Sequence, residues 1–264
     1  MKPVRIVHLL MLSFLLISFS TSRAVADDAD LARLFKDRNV NGVMVISSLK
    51  GDVEYVHNAS RADQQFLPAS TFKIINTLIA LDQGAIKDEN EVIKWDGKNR
   101  GVAAWNQDQT LSTAFPASCV WFYQELAKRV GQEAYLKHLK AINYGNQKTG
   151  PDVTTFWLNG DLKISANEQI EMLKRVYADD LPYKKNHLQI LKKVMIVDRT
   201  PQYTIRAKTG LTARVTSHIG WYVGYVEIKD NVWFFTLNMD ITDKKQIAFR
   251  KEIVIEGLKA KGIL

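Results

Sequence analysis

The chain has 264 residues, 46% hydrophobic and 24% charged, so it can bury a sizeable core and form a cleft between two lobes. This composition excludes wholesale disorder and collagen-like repetition, and the single cysteine excludes an internal disulfide framework or a multi-cysteine metal site. The formal net charge of +8 would indicate nucleic-acid binding only if the basic residues were clustered.

The first 26 residues have the pattern of a secretory signal peptide. Lys2 and Arg5 precede the almost wholly apolar run Ile6–Phe19, and the small residues Ala24-Val25-Ala26 follow it. The run is shorter than the roughly 20 residues that span a bilayer, which favours cleavage over a membrane anchor. Cleavage after Ala26 removes three cations and no acid, taking the formal charge from +8 to +5. Export without disulfides favours a bacterial periplasm.

Residues 27–264 form one predicted domain, with no repeat or long linker and no membrane association after cleavage. The basic residues are scattered, without a stripe of interleaved aromatic residues, so nucleic-acid binding is not expected. The remaining histidines lack metal-ligand spacing, so no metal site is predicted. They are His57, His138, His187 and His218. A homodimer is compatible with the sequence but is not indicated by it.

The predicted elements run in the order strands, helices, strands, helix. A hairpin is predicted over Gly42–Leu49 and Val53–Val56, and a helix over Phe72–Asp82. Apolar periodicity predicts a mostly helical stretch over residues 95–193 and further elements in the C-terminal part. Helices are predicted there at Val120–Val130, Glu133–Ile142, Asn167–Tyr177 and Asp243–Lys261. Strands are predicted at Tyr203–Lys208, Ile219–Ile228 and Val232–Met239, with a tight turn at Lys229-Asp230-Asn231.

This order predicts an α+β fold. The N-terminal hairpin and the three later strands can pair into one antiparallel sheet flanked by helices, with the central helical block as a second lobe. A cleft between the lobes is the expected place for a functional site.

A serine and a lysine in S-x-x-K spacing are candidate catalytic residues. On a helix, Ser70 and Lys73 share one face, so the lysine Nζ can reach the serine Oγ. Burial among Phe72, Ile74 and Ile75 should lower the pKa of Lys73 and make it a base that can activate a serine or react with carbon dioxide. Free backbone N–H groups at the helix start could stabilise an oxyanion.

Other interpretations of this pattern remain open at this point. Ser70 could be a helix N-cap and Lys73 a surface lysine. Ser47-Ser48-Leu49-Lys50 is a second match, but it lies at a strand end, where residues i and i+3 point to opposite faces. A Ser-His-Asp triad is not excluded, although the chain has no G-x-S-x-G motif.

The tripeptide Lys208-Thr209-Gly210 strengthens the catalytic interpretation. It ends one predicted strand and precedes another, where a glycine permits close approach of a ligand. The ammonium and the hydroxyl could bind a substrate carboxylate. The alternative is a turn with an exposed lysine.

Together these motifs resemble the serine β-lactamases and penicillin-binding proteins. Further matches resemble class D, the oxacillinases, and span most of residues 27–264. They are Pro68-Ala69-Ser70-Thr71-Phe72-Lys73, Trp95-Asp96-Gly97, Ser118-Cys119-Val120, Tyr144-Gly145-Asn146, Phe156-Trp157-Leu158-Asn159-Gly160, Lys208-Thr209-Gly210 and Phe249-Arg250-Lys251.

The resemblance implies hydrolysis of penicillins and oxacillin-type β-lactams, and so antibiotic resistance. It implies a Ser70 acyl-enzyme, a carbamylated Lys73 as general base, a carbamate bound by Trp157, and Ser118 as a proton relay. No cofactor is implied beyond the carbon dioxide or bicarbonate needed for carbamylation.

The resemblance also implies which residues contact the substrate and which shape the site. The backbone N–H groups of Ser70 and Leu211 would form the oxyanion hole. The expected substrate-binding residues are Lys208, Thr209, Gly210, Leu211, Arg250, Val120 and Leu158. Tyr144 and Asn146 are expected to shape the site rather than react.

The segment 211–220 bears on specificity. Thr212-Ala213-Arg214 resembles the carbapenem-hydrolysing oxacillinases, in which an acidic residue pairs with this arginine. Here the corresponding residue is Asn159, so weak carbapenem hydrolysis is the implied addition. The alternative is a narrow penicillinase in which Arg214 is a solvated loop charge.

Two other functions use related motifs. A β-lactam sensor domain is acylated once and signals, but would need membrane and output segments that the sequence does not show. A D,D-peptidase usually has extra domains, and the Tyr144-Gly145-Asn146 and Trp157 matches argue against it.

Overall fold

The computed structural model describes residues 27–215, 218–229 and 231–264. Its strands are β1 (Gly42–Ser48), β2 (Glu54–His57), β3 (Ile196–Arg199), β4 (Tyr203–Leu211), β5 (Ile219–Ile228) and β6 (Asn231–Asp240). They form one antiparallel sheet in the order β2-β1-β6-β5-β4-β3. Because β1 pairs with β6, the first and the last strand of the sequence are neighbours in the sheet. The mostly helical part of the chain lies between them in the sequence.

Helices cover both faces of this sheet. They are α1 (Ala29–Asp37), α2 (Ala59–Ala62), α3 (Lys73–Asp82), α4 (Leu111–Ala114), α5 (Val120–Val130), α6 (Gln132–Ala141), α7 (Ala166–Tyr177), α8 (Lys185–Val194) and α9 (Gln246–Ala260). Two 3-10 helices, Ala69–Phe72 and Ala103–Trp105, complete the set within the described ranges. No helix in these ranges has the length and apolar character needed to cross a membrane.

The sheet separates two hydrophobic cores because successive side chains of a strand point to opposite faces. In β5, Trp221 and Val223 pack toward the helical lobe that contains α3, whereas Tyr222 and Val226 pack toward α1 and α9. We call these sides the α3 face and the α9 face. Burial on both faces explains why β5 is a nearly continuous apolar run rather than an alternating one.

The α+β fold, the N-terminal hairpin and the three later strands are confirmed. Two details differ. The Phe72–Asp82 prediction was too simple, since Ala69–Phe72 is a 3-10 helix and α3 begins at Lys73. The tripeptide Lys208–Gly210 does not end its strand, because β4 continues to Leu211 opposite Gly220.

Three elements were missed by sequence reasoning: α1, the four-residue helix α2 and β3. The helix α1 begins where the Asp28 side chain accepts a hydrogen bond from Leu31 N. The strand β3 is a four-residue edge strand with a register shift, too short and too exposed to show a pattern. The predicted signal peptide, and Asp230 of the predicted turn, lie outside the described residues.

Candidate active site

Ser70 lies in the 3-10 helix that leads into α3. The preceding residue, Ala69, is fully buried and has φ of 48°, a left-handed conformation that is costly for a residue with a Cβ. The turn is held by Thr71, whose Oγ1 donates a hydrogen bond of 2.7 Å to Pro68 O. The surrounding fold therefore maintains a strained backbone next to Ser70.

Lys73 contacts Ser70 directly. Its Nζ donates a hydrogen bond of 2.9 Å to Ser70 Oγ, as the i, i+3 spacing predicts. The lysine is fully buried, and burial lowers its pKa to about 7, with a further lowering by the positive charge of Arg214. A substantial fraction of Lys73 is therefore a neutral amine near pH 7. The Ser47–Lys50 match is different, because Lys50 is exposed beyond the end of β1.

Aromatic side chains pack beside this pair. The ring of Phe72 lies 5.7 Å from that of Trp157 and 5.6 Å from that of Tyr144. Trp157 is fully buried, and its Nε1 has no hydrogen-bond partner among the described residues. Because a buried N–H without an acceptor is costly, this atom marks a position suited to an additional acceptor. Burial raises the pKa of Tyr144, so its phenol remains neutral.

Asn146 holds two loops together outside this aromatic group. Its Nδ2 donates to Asp161 O at 2.7 Å, and its Oδ1 accepts from Lys163 N at 3.0 Å. At the neighbouring Gly145, φ is 49° and a Cβ would lie 2.1 Å from Lys163 O, so this close approach requires glycine. The Tyr144–Asn146 segment thus supports the position of Trp157 through the loop that carries it.

The strand β4 approaches Ser70 from the other side. A Cβ on Gly210 would lie 3.0 Å from Pro68 O and 3.1 Å from Thr71 Cγ2, so glycine lets the strand pack against the serine turn. Lys208 is buried, and its Nζ donates to Thr209 O at 3.1 Å. Burial and the neighbouring positive charges lower the pKa of Lys208 well below its usual value.

The alternation of β4 directs the N–H group of Leu211 toward the site. Thr212 N donates to Ile219 O on the β5 side, whereas Ala207 N donates to Met195 O on the opposite side. Successive N–H groups of a strand point to alternate sides, so Leu211 N–H points away from β5 like that of Ala207. It does so beyond the end of β3, where the 3-10 helix containing Ser70 packs against β4.

Arg250 reaches the same strand from α9. Its Nη1 donates to Gly210 O, and burial lowers its pKa to about 10, so it stays charged near neutral pH. The side chain passes over Gly220, where a Cβ would lie 2.7 Å from Arg250 Cδ. A cation from the α9 face and Lys208 from the α3 face therefore converge on one strand edge.

A cavity of about 520 Å³ joins these groups. Its described lining residues are Ser70, Trp105, Ser118, Val120, Leu158, Thr209, Gly210, Leu211, Ala213, Arg214 and Arg250, none of them acidic. Lys73, Trp157, Tyr144 and Asn146 do not line it, and Lys208 lines an adjoining cavity of about 50 Å³. Ser118 is half-buried and has φ of 55° just before α5.

Trp105 and Ala213 line the cavity but were not predicted as site residues. Ala213 belongs to the segment already singled out for Arg214. The available indication for Trp105 was a tryptophan in a segment without clear helical or strand periodicity, Asn99–Asn106.

Comparisons with known proteins agree with the geometry of this site. Residues 35–258 match the family model described as the penicillin binding protein transpeptidase domain, so the fold and the Ser70–Lys73 pair define a protein of that class. The chain is 44% identical over 230 residues to β-lactamase OXA-48 of Klebsiella pneumoniae, which covers 87% of each chain.

Solved structures show the same relationship. The class D β-lactamase YbXI from Nostoc has a TM-score of 0.87 and 43% identity, covering 89% of this chain and 99% of that one. FUS-1 (OXA-85), from Fusobacterium nucleatum subsp. polymorphum, has a TM-score of 0.88 and 35% identity, covering 90% and 100%. The chain belongs to the class D serine β-lactamases, as its motifs indicated.

Proposed function

We propose that the chain hydrolyses penicillins and oxacillin-type β-lactams through an ester formed on Ser70 Oγ. The observation that carries this mechanism is the buried Lys73 amine within 2.9 Å of Ser70 Oγ, beside a cavity lined by Arg214 and Arg250. In the first step the serine oxygen bonds to the β-lactam carbonyl carbon and the C–N bond breaks. Water then hydrolyses the ester and frees Ser70.

In this proposal Lys73 is N-carboxylated. A neutral amine takes up carbon dioxide and loses a proton, and the pKa of about 7 makes the neutral form accessible at physiological pH. The unpartnered Nε1 of Trp157 fits the extra acceptor atoms, and its fully buried ring keeps water away from them. The carbamate supplies a general base for both the serine and the hydrolytic water.

The other site residues hold the substrate. The N–H groups of Ser70 and Leu211 are proposed to donate to the oxyanion, and the outward direction of Leu211 N–H supports this role. Lys208, Thr209 and Arg250 would bind the β-lactam carboxylate, supported by the hydrogen bonds that bring Arg250 to Gly210 and Lys208 to Thr209. The Ser118 hydroxyl would pass a proton to the departing nitrogen.

Val120 and Leu158 are proposed to contact the apolar parts of the drug, because both line the cavity. We also propose weak carbapenem turnover. Arg214 lines the cavity. Arg214 and Asn159 are both exposed, and within the described residues no hydrogen bond joins their side chains. A loop without that contact should constrain a carbapenem acyl group less than a loop held by a charged pair would.

We further propose export to the periplasm with cleavage near Ala26, supported by the signal pattern of residues 1–26. This location would place the enzyme where β-lactams meet their targets.

Nitrocefin hydrolysis tests the function. Purified protein should catalyse many turnovers, and mass spectrometry of rapidly quenched samples should find acyl adduct on the peptide containing Ser70. A single equivalent of product followed by a stable adduct would instead identify a β-lactam sensor.

A further inference from the structure

The loop 95–106 builds one wall of the cavity. Its last helical turn carries Trp105, which is held at two points: Trp105 Nε1 donates to Ala117 O at 2.8 Å, and Trp105 O accepts from Trp121 Nε1 at 2.7 Å. Ala117 directly precedes Ser118. The position of the Trp105 indole therefore depends on where the Trp121 ring lies.

Arg100 packs on that ring. Its guanidinium carbon lies 5.5 Å from the ring centre of Trp121, within the range of a cation–π contact. The guanidinium is oriented by Asp96, because Nη1 and Nη2 each donate to one carboxylate oxygen at 2.8 Å. The ion pair also lowers the pKa of Asp96 and raises that of Arg100, which keeps both groups charged.

Polar contacts join Arg100 to the end of the loop, while Trp95 and Trp105 pack against the core. Arg100 N donates to Asn106 Oδ1 at 3.0 Å, and Asn106 Nδ2 donates to Asn99 Oδ1 at 2.8 Å. The intervening Val102 is 39% exposed. Arg100 therefore adds a second contact between this loop and α5, beside the hydrogen bond from Trp121 Nε1 to Trp105 O.

We propose that Arg100, oriented by Asp96, is a positioning residue for Trp105 and thereby sets the preference for β-lactams with a bulky aromatic side chain. The inference rests on the proposed function, in which cations at Gly210 bind the drug carboxylate. Those cations direct the opposite end of the drug toward the uncharged wall formed by Trp105, Val120 and Leu158. A small β-lactam nucleus does not need this wall.

Kinetics on two substrates test the inference. In Arg100→Ala, KM for oxacillin should rise about three- to tenfold, the loss expected for one partly exposed cation–π and ion-pair contact. The values of kcat/KM for 6-aminopenicillanic acid, which lacks the acyl side chain, should stay within about twofold. The matched control is Arg129→Ala, because Arg129 lines the same small surface cavity as Arg100 and forms an i, i+4 ion pair with Glu125. Arg129→Ala should leave the kinetic constants for both substrates unchanged.

Two further variants separate positioning from folding. Arg100→Lys, which keeps the charge but loses the two-pronged contact, should give an intermediate KM. In a Trp105→Ala background, Arg100→Ala should cause no additional loss. Equal losses for both substrates, no loss in Arg100→Ala, or additive losses in the double variant would overturn the inference. A wild type that turns over neither substrate would overturn the proposed function itself, and this inference with it.

Discussion

The two faces of the sheet bury different kinds of side chain. Between the sheet and α1 and α9, the core consists of aliphatic and aromatic residues such as Leu31, Phe235 and Leu258. The α3 face also holds a large apolar core, but buried polar residues are concentrated there. They include Lys73, Asn76, Thr77, Lys208, Thr236 and Asn238.

Groups that are costly to bury are concentrated on the α3 face. Trp157 Nε1, Asn76 Nδ2 and Asn238 Nδ2 lack hydrogen-bond partners within the described part of the chain, and Lys73 is buried without an acid beside it. Each of these features costs stability. The apolar α9 face, with fewer polar groups to satisfy, supports the sheet while the α3 face carries the reactive groups.

On the α3 face, Ser70→Ala should abolish activity while leaving stability almost unchanged. Removing the nucleophile should lower kcat for nitrocefin by about 10⁴-fold or more, because the acyl group then has no serine oxygen to which it can bond. The free energy of unfolding should change by less than about 1 kcal/mol, since Ser70 is only half-buried. Stopped-flow assays and urea unfolding measure the two quantities. Activity near that of wild type would end the assignment of Ser70.

Leu258→Ala should show the opposite behaviour on the α9 face. Leu258 is fully buried, so the cavity left by its side chain should lower the free energy of unfolding by about 2–5 kcal/mol. Below the melting temperature, kcat/KM should remain within about twofold of wild type.

The matched variant is Leu78→Ala, because Leu78 is equally buried but lies in α3. Its cost in stability should be similar, and kcat/KM should fall as well. Comparable kinetic losses in both variants would show that the two faces are not functionally separate.

The buried Lys73 of the α3 face should make activity depend on pH. The folded pKa of about 7 lies below the usual lysine value, so the neutral amine predominates above pH 7 and is lost as the pH falls. Only the neutral amine reacts with carbon dioxide. At pH 5.5, kcat should be roughly tenfold or more below its value at pH 7, as expected from a two-state titration about 1.5 pH units below the pKa.

Added bicarbonate should restore part of that activity, and Lys73→Ala should be insensitive to it. Steady-state oxacillin hydrolysis with and without bicarbonate measures the effect. A wild type whose activity at pH 5–6 does not respond to bicarbonate would point to an ordinary amine base.

Arg214→Ala is expected to have the smallest effect. Arg214 is exposed at the cavity, and its positive charge lowers the pKa of Lys73, so its removal should change rates by only about two- to fivefold. We expect wild type to hydrolyse imipenem slowly and Arg214→Ala to be slower by that factor, with oxacillin turnover nearly unchanged. If neither protein hydrolyses imipenem while both hydrolyse oxacillin, the carbapenem proposal fails and the class D assignment stands.

Local sequence determined much of the architecture. Helix α7 begins one residue before its predicted start, because Ser165 and Glu168 form a capping box. The hairpin and the strands β5 and β6 follow from apolar β-formers between turn residues. The i, i+3 spacing of Ser70 and Lys73 determined their contact, since helical geometry alone brings these positions together.

Tertiary structure decided the rest of the site. Gly210 meets the serine turn, Arg250 crosses Gly220, and Trp105 joins the cavity wall through contacts between residues far apart in the chain. The depth of burial that brings the pKa of Lys73 to about 7, and the unpartnered Trp157 Nε1, also depend on how the lobes pack. Local patterns encode periodicity and turns, whereas burial and long-range proximity are properties of the packed chain, so the amino-acid sequence determined the reactive pair and only the fold determined its surroundings.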